Sequence, residues 1–471
     1  MLSVKLITPK SINVLCGPKG ILSILFSILV IGANAQDNSP YSRFGIGDLT
    51  PSTSIIGRGM GSLSAGYVDF LSINFNNPAS YSSFQSLIEA KSKKTSSGRA
   101  ILDIGVNLDT RTLQEPFPVK RFVASNALFS YMQVGVPLKN GWGFSFGLRP
   151  ISRISYNIFR SEKLFDPGTG LPIDTAITRF QGDGGTYLAS MGTGFNIFRK
   201  MNPLGEEKLS FGINGGFLFG KKNYSTKRAL INDTVDYYMA NYQTQSTFGN
   251  PYFSAGIQYK TPLKKDIMLV VGAYGNLKQN LRANKDELRE TFVEDPNFGT
   301  LRLDSVSDKR DVKGKLVYPM SFTVGFIIEK MQGPKTPGWL LGLDFMHQTW
   351  SQYRFYGQPD SVKDNWEIRG GGQLRPVSRK NYFSNVAYRA GFMVGPDYIK
   401  VGKKLMQYGL SFGLGLPIPT SRQAPNQASI INLAFEYSRR GNNNNLLRES
   451  IFRISLGFSL SDFWFIKRKY E

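Results

Sequence analysis

Thiols and imidazoles are almost absent from this chain: of 471 residues one is cysteine, Cys16, and one is histidine, His347. Cys16 precedes an apolar run near the amino terminus, so the chain beyond it has no disulfide to form and no thiolate to offer a metal. A single imidazole argues equally against a conventional zinc site, and His347, followed by Thr349 and Trp350 near a strand end, suits a membrane interface. The same scarcity disarms two matches to the nucleophile-elbow pattern, Gly143-Phe144-Ser145-Phe146-Gly147 and Gly409-Leu410-Ser411-Phe412-Gly413. That chemistry needs a strand-to-helix turn and a histidine base, whereas both serines fall mid-strand between aromatics of the opposite face. No cofactor and no enzymatic activity are expected. Also missing beyond Ala35 are a long hydrophobic helix, a linker that would divide the chain, and sustained helical periodicity.

Acid is scarce as well, with 34 Asp and Glu against 57 Lys and Arg and a formal net charge of +23. Such an excess can signal nucleic acid, but here the bases are scattered through turns and loops rather than gathered on one element. Outer-membrane lipid and lipopolysaccharide, with their phosphates, are the partners that suit an exported chain. Export is expected from the first residues: Lys5, Lys10 and Lys19 precede the apolar run 21–31, and Ala33-Asn34-Ala35 is a small-x-small site before Gln36. This predicts a signal peptide over residues 1–35, cleaved after Ala35. The alternative is an amino-terminal anchor, for which the run is short against the ~20 residues a spanning helix needs.

What the chain has in abundance is alternation. In the stretch 451–470, Phe452, Ile454, Leu456, Phe458 and Leu460 alternate with Arg453, Ser455, Gly457, Ser459 and Ser461, so every apolar side chain lies on one strand face. Phe463, Trp464 and Phe465 follow, then Lys467, Arg468, Lys469 and Tyr470, which is the order of a membrane-crossing strand leaving hydrocarbon for headgroups. Similar runs occur at 102–108, 122–136, 142–148, 184–198, 209–221, 250–260, 267–281, 316–330, 339–352, 364–373, 383–395, 406–416 and 431–437. Each exceeds or approaches the ~9–11 tilted residues needed to cross. The fold class is therefore all-β, a transmembrane antiparallel β-barrel of about 14 strands in the outer membrane of a gram-negative envelope. The links at 137–141, 199–208, 261–266, 331–338, 374–382 and 417–426 read as periplasmic turns, and those at 157–183, 222–249 and 282–315 as long outer loops. Asp103, Asp344, Glu329, Glu436, Arg149, Arg389 and Arg453 fall on the inward parity, where lumenal ion pairs are expected.

Residues 36–97 do not alternate. They carry Ser39-Pro40-Tyr41-Ser42-Arg43-Phe44-Gly45-Ile46-Gly47-Asp48-Leu49, then Gly57-Arg58-Gly59-Met60-Gly61, Asp69 and Asn77-Pro78-Ala79. Ile55, Ile56, Met60, Tyr67, Phe70, Leu71, Ile73 and Phe75 are too apolar for a solvated tail, so this segment is expected to plug the barrel formed by residues 98–471. Gly57, Gly59 and Gly61, with Asp69, Asn77, Pro78 and Ala79, resemble the amino-terminal hatch of the FadL-type outer-membrane transporters of long-chain fatty acids. That resemblance implies passive uptake of a hydrophobic ligand, with Tyr237, Tyr238 and Tyr242 as first contacts on a loop. It is shared with accessory barrels of protein-secretion or outer-membrane assembly machinery, which implies protein partners in the envelope instead. Pro78 fixes its own φ and keeps Asn77 extended, so the motif could hinge the plug. Residues 39–49 have no assignable transport role, and their aromatic and charged residues, without an evident place in the lumen, favour the accessory alternative.

Overall fold

The computed structural model describes residues 39–88, 95–116, 118–232, 235–295, 299–419, 427–445 and 447–464. The expected signal peptide and the closing Phe465, Lys467, Arg468, Lys469 and Tyr470 lie outside these residues. Fourteen antiparallel strands form the wall: β1 Thr95–Pro116, β2 Val119–Lys139, β3 Trp142–Phe165, β4 Pro172–Asn202, β5 Gly205–Ile231, β6 Met239–Lys264, β7 Ile267–Asn276 continued as Gln279–Asp295, β8 Gly299–Tyr318 continued as Ser321–Lys330, β9 Gly338–Gln348, β10 Asn365–Arg375, β11 Ala387–Pro396, β12 Met406–Ile418, β13 Ala428–Arg440 and β14 Arg448–Trp464. The ring closes where β14 pairs with β1, from Arg448 opposite Gln114 to Trp464 opposite Gly98. Every alternating stretch read from the sequence overlaps one of these strands, although 339–352 runs on into the 3-10 turn Trp350–Gln352 and 383–395 begins in the turn Tyr382–Asn385.

The outward parity is apolar and exposed, as at Phe146, Leu148, Leu410, Phe412 and Phe452, while inward neighbours such as Ser145, Asn432 and Ser455 are buried. A closed ladder with an apolar exterior satisfies its backbone without water, which is what lipid demands of an outer-membrane barrel. Within the described residues no helix is long and apolar enough to cross a membrane.

The expected outer loops at 157–183, 222–249 and 282–315 are instead mostly strand. β4 alone has 31 residues, about three times what a crossing requires. The outer parts of β3 to β8 pair edge to edge into a six-stranded sheet that continues the wall beyond the bilayer. This sheet carries polar and charged residues on both faces among scattered apolar ones, so a sustained alternation does not mark it, and it has ion pairs such as the exposed Lys221 with Asp183 at 3.0 Å and Arg302 with Glu290 at 3.0 Å. Pairs of that kind contribute about 0–1 kcal/mol each, so the backbone ladder holds the extension together.

The wall has one interruption. β2 and β3 pair from Met132 opposite Leu148 down to Lys139 opposite Trp142 and no farther. Above that level β3 bulges between Pro150 and Ser152, where a proline cannot donate to a ladder. Its vacated edge is taken from inside the ring, with Asp48 opposite Arg153 and Leu49 opposite Ser152.

Candidate functional site: the segment inside the ring

Residues 39–88 cross the inside of the ring in three sections, each held by different chemistry. In the lowest, Asn77 caps the 3-10 turn Pro78–Ser83: its side chain accepts from Ala79 N at 3.2 Å and donates to the Ala65 and Ile257 carbonyls at 2.8 and 3.3 Å. Pro78 occupies the first turn position, where its missing N–H costs nothing. Ala79 is fully buried. The wall beneath is bare, because Gly143, Gly194, Gly212 and Gly256 lie side by side on β3 to β6. A Cβ on Gly212 would stand 2.6 Å from Ala79 N, and one on Gly256 3.0 Å from Pro78 Cδ. The closeness the motif needs is thus provided by glycines of the wall as much as by Ala79 itself.

In the middle section Ser54 caps the single turn Ile55–Arg58, accepting from Gly57 N at 3.4 Å. Arg58 is wholly buried, and its partners among the described residues are all neutral: the Asn107 amide oxygen at 2.6 Å, Ser455 Oγ at 3.1 Å, the Thr53 carbonyl at 3.1 Å and Ser130 Oγ. Gly61 takes a φ of +67°, which a side chain would resist, and its N–H donates to Ser411 Oγ at 2.9 Å. Ser411 belongs to one of the two elbow-like patterns, and its observed role is to accept that bond. Asp344 accepts from Ser64 N and Ala65 N at 2.7 and 2.9 Å, and Asp103 from Ile73 N, Tyr131 and Ser459. Asp69 accepts from Tyr67 and Leu71 N, both at 3.0 Å, with Arg375 3.5 Å away.

Lumenal ion pairing therefore holds for only part of the inward set. Glu329 pairs with Lys260 at 2.8 Å, and Arg453 with Asp109 at 2.7 Å beside Glu436 at 4.0 Å. Asp103, Asp344, Arg149 and Arg389 make their hydrogen bonds to backbone, hydroxyl and amide groups instead, for example Arg149 to the Ser52 carbonyl and Asn76 at 2.8 Å. The charges face the segment threaded between them, and its free N–H and C=O groups are nearer than an opposite charge on the far wall.

The third section, residues 39–49, had no role in the sequence reading and is the most heavily bonded. Asp48 lies between Arg111 and Arg440, the latter at 2.6 Å, and Glu449 bridges the same two guanidinium groups at 3.2 and 3.1 Å. Asp397 joins Arg440 at 2.7 Å, and Ser39 donates to Glu449 at 2.6 Å. Burial alone would raise the Asp48 carboxyl, but Arg111 and then Arg440 outweigh it and hold it well below the usual carboxylate range. The Gly45 carbonyl accepts from Lys222 at 2.6 Å and Tyr353 at 3.0 Å, while Gly45 N donates to Asp360 at 2.8 Å. Tyr41 and Ile46 pack among Trp350, Tyr353, Tyr398 and Leu405 in the largest buried apolar cluster.

Asp48→Asn should weaken the seating of residues 39–49 by about 3 kcal/mol, since two buried guanidinium groups lose a charge partner. Hydrogen exchange of this section in the mutant against the parent is the measurement. Because the folded Asp48 titrates below its ordinary value near 3.9, its contribution in the parent is fully present above that pH and fades only as pH falls through the depressed value. Exchange protection should therefore be unchanged by Asp48 between pH 7 and 5.

Between the upper and middle sections lies a cavity of about 160 Å³, lined by Arg58, Glu367, Arg369, Glu436, Arg440 and Arg453 among others. Ligand pockets usually run to ~300–1,000 Å³ and are mainly apolar, so this space suits a few waters. A wider recess of about 550 Å³ opens at the periplasmic end beside Tyr67, Asp69, Phe70, Lys208 and Trp339. Tyr237 and Tyr238 are exposed in the link between β5 and β6 and Tyr242 is exposed on β6; they line neither space. Gly57, Gly59, Gly61, Asp69, Asn77, Pro78 and Ala79 are gathered inside the ring, whereas the three tyrosines are not. His347 sits on the outward parity with its ring 5.5 Å from Phe322. No group of His, Cys, Asp and Glu suited to a metal occurs among the described residues.

A family model described as BamG matches residues 18–471. No curated protein matches the sequence significantly. Among solved structures, a Pseudomonas aeruginosa FadL homologue is similar at 13% identity and a TM-score of 0.48, over 90% of this chain and 100% of that one. The P. putida toluene transporter TodX is similar at 15% identity and 0.48, over 89% and 99%. The CymD monoaromatic hydrocarbon channel is similar at 12% identity and 0.46, over 87% and 97%. The FadL-type likeness is thus one of structure at low identity, and the family matched by sequence is a different one.

Proposed function

We propose, from the premise that the chain belongs to the BamG family, that it is a non-transporting accessory barrel of an outer-membrane assembly complex, with residues 39–88 acting as a permanent plug. The observation that carries this reading is how firmly residues 39–49 are held inside the ring. A segment meant to move aside would be held by few and weak contacts, but residues 39–49 are tied by Asp48 to two buried guanidinium groups, by Ser39 to Glu449, and by hydrogen bonds to Gly45 on both its polar atoms. The cavity between the upper and middle sections is small for a fatty acyl chain, and the wider recess lies below it at the periplasmic end. The six-stranded outer sheet offers a broad face for other envelope proteins. Affinity purification of the mature protein in mild detergent tests this. Stoichiometric partner proteins are expected; a lone barrel recovered with bound lipid would reject the reading.

A second reading, passive uptake of hydrophobic compounds such as long-chain fatty acids, is favoured by the interruption between β2 and β3. Val119, Phe122, Val123 and Phe129 are exposed along β2, whose residues 119–131 pair only with β1. A sideways passage at that level would connect lumen and lipid if residues 39–50 withdrew from the β3 edge. Uptake of labelled oleate by cells with and without the protein distinguishes the two. Equal uptake is expected on the first reading, and protein-dependent uptake on the second.

A further inference from the structure

Two outer connections, residues 356–364 and 397–405, are zipped together: Lys363 N donates to the Tyr398 carbonyl at 2.7 Å, Lys400 N to the Ser361 carbonyl at 2.9 Å, and Val362 bridges Ile399. Asp397 N closes the second loop on the Leu405 carbonyl at 2.8 Å. The acids of these loops are already engaged. Asp360 accepts from Gly45 N at 2.8 Å, Asp364 from Ser351 N at 2.7 Å, and Asp397 from Arg440 and Ile399 N. The bases are not: Lys363, Lys400, Lys403 and Lys404 make no ion pair among the described residues, and the last three are exposed. Burial first, then Lys404 and to a lesser extent Lys400, push the Lys363 ammonium below its ordinary value although Asp397 opposes them, so the bases are close neighbours.

The height of the cluster is fixed by the strands that carry it. On β12 the outward residues Leu410 and Phe412 are topped by Tyr408, and on β10 the outward Trp366 is the last aromatic. Tyrosine and tryptophan favour the edge of the hydrocarbon layer. Lys403, Lys404 and Lys363 lie three to five residues beyond these aromatics, in the connections just outside the ends of β12 and β10 and hence on the headgroup side of the aromatic edge.

We propose that these four lysines form a binding site for the phosphates of the outer-leaflet glycolipid. Rigid loops hold four uncompensated ammonium groups where a diphosphorylated lipid presents its two charges, and the aliphatic stems can lie along the apolar band below. The site is independent of either functional reading, since the lysines belong to neither the lumen nor the β2 and β3 interruption.

The test uses the mature barrel in neutral-lipid nanodiscs with labelled diphosphoryl lipid A as probe. The parent should retain this lipid at least about tenfold more tightly than a Lys363→Gln, Lys400→Gln, Lys403→Gln, Lys404→Gln variant, and less tightly as salt rises. Monophosphoryl lipid A should bind more weakly than the diphosphoryl form, and the fourfold Lys→Arg variant should bind like the parent. Heat-modifiable migration checks that each variant is assembled, and the salt titration of the parent stands even if a variant is not. Equal binding by parent and Gln variant, indifference to salt, or displacement of the lipid by equimolar inorganic phosphate would overturn the proposal.

Discussion

Arg58→Ala is expected to unseat the segment inside the ring, lowering the free energy that holds it by about 3–5 kcal/mol while leaving the barrel closed. The side chain is fully buried and its donors serve the Thr53 carbonyl, the Asn107 amide oxygen, Ser130 and Ser455. Thr53 belongs to the segment, while Asn107, Ser130 and Ser455 lie on β1, β2 and β14, so one guanidinium joins the segment to three adjacent strands. Removing it leaves those oxygens without a donor and opens a void beside Ile55 and Ile56. Arg58→Lys should recover only part of the loss, because an ammonium cannot span partners that a planar fork reaches in several directions. Amide exchange in residues 54–65 is the measurement: protection should fall by roughly two to four powers of ten, at 1.36 kcal/mol for each, with exchange in the ladders of β5 and β6 unchanged. Unaltered protection would mean that packing of Ile55, Ile56 and Met60 alone seats the segment.

The positions of the fourteen strands were legible because the signal for a lipid-facing strand is local: Trp142, Phe146 and Leu148 alternate with Gly143, Ser145 and Gly147 whatever else the chain does. The outer sheet was not legible, because beyond the bilayer neither face has to be apolar. Lys285, Glu287, Arg289 and Glu290 read as loop, yet they lie in β7 opposite β6 and β8. Inward parity was legible for Asp103 and Asp344, but not that each would accept backbone N–H groups of the threaded segment. Least legible were residues 39–49. Asp48 meets Arg111 and Arg440, the second 392 positions away, and nothing in the spacing of one sequence announces a contact of that span. What the sequence did hold was the pair Gly45 and Gly47, whose φ values of +60° and +104° let the backbone turn its carbonyls toward Lys222 and Tyr398.

The wall glycines carry the second large effect: Gly212→Val is expected to expel the Asn77-Pro78-Ala79 turn without preventing barrel assembly. Gly212 faces Gly194 and Gly256 in register, and the atoms nearest a Cβ there are backbone atoms of Pro78 and Ala79, which cannot swing away as a flexible side chain could. The β5 backbone itself tolerates a β-branched residue, so the ladder and the lipid-facing side chains Phe211 and Ile213 are untouched. The clash is therefore relieved by the segment, whose hold on the wall at this level includes Asn77 to Ile257, Ser82 to Ser210, Lys208 to Ser83 and the burial of Tyr81 and Phe84. Overpacking of this kind costs about 1–3 kcal/mol even when neighbours can shift, and here they are pinned between two surfaces. Assembled mutant should keep heat-modifiable migration, expose residues 66–88 to protease from the periplasmic side, and show single-channel conductance that the parent lacks. Gly215→Val is the matched control, because a Cβ there meets only the Phe253 ring at 3.5 Å on the outer face. Conductance in the control, or a silent and protease-resistant Gly212 mutant, would mean that the glycine row does not govern how the turn is seated. A conducting Gly212 mutant that still recovers its partner proteins would separate the plug from the assembly role, since sealing the lumen and presenting the outer sheet would then be independent properties of one barrel.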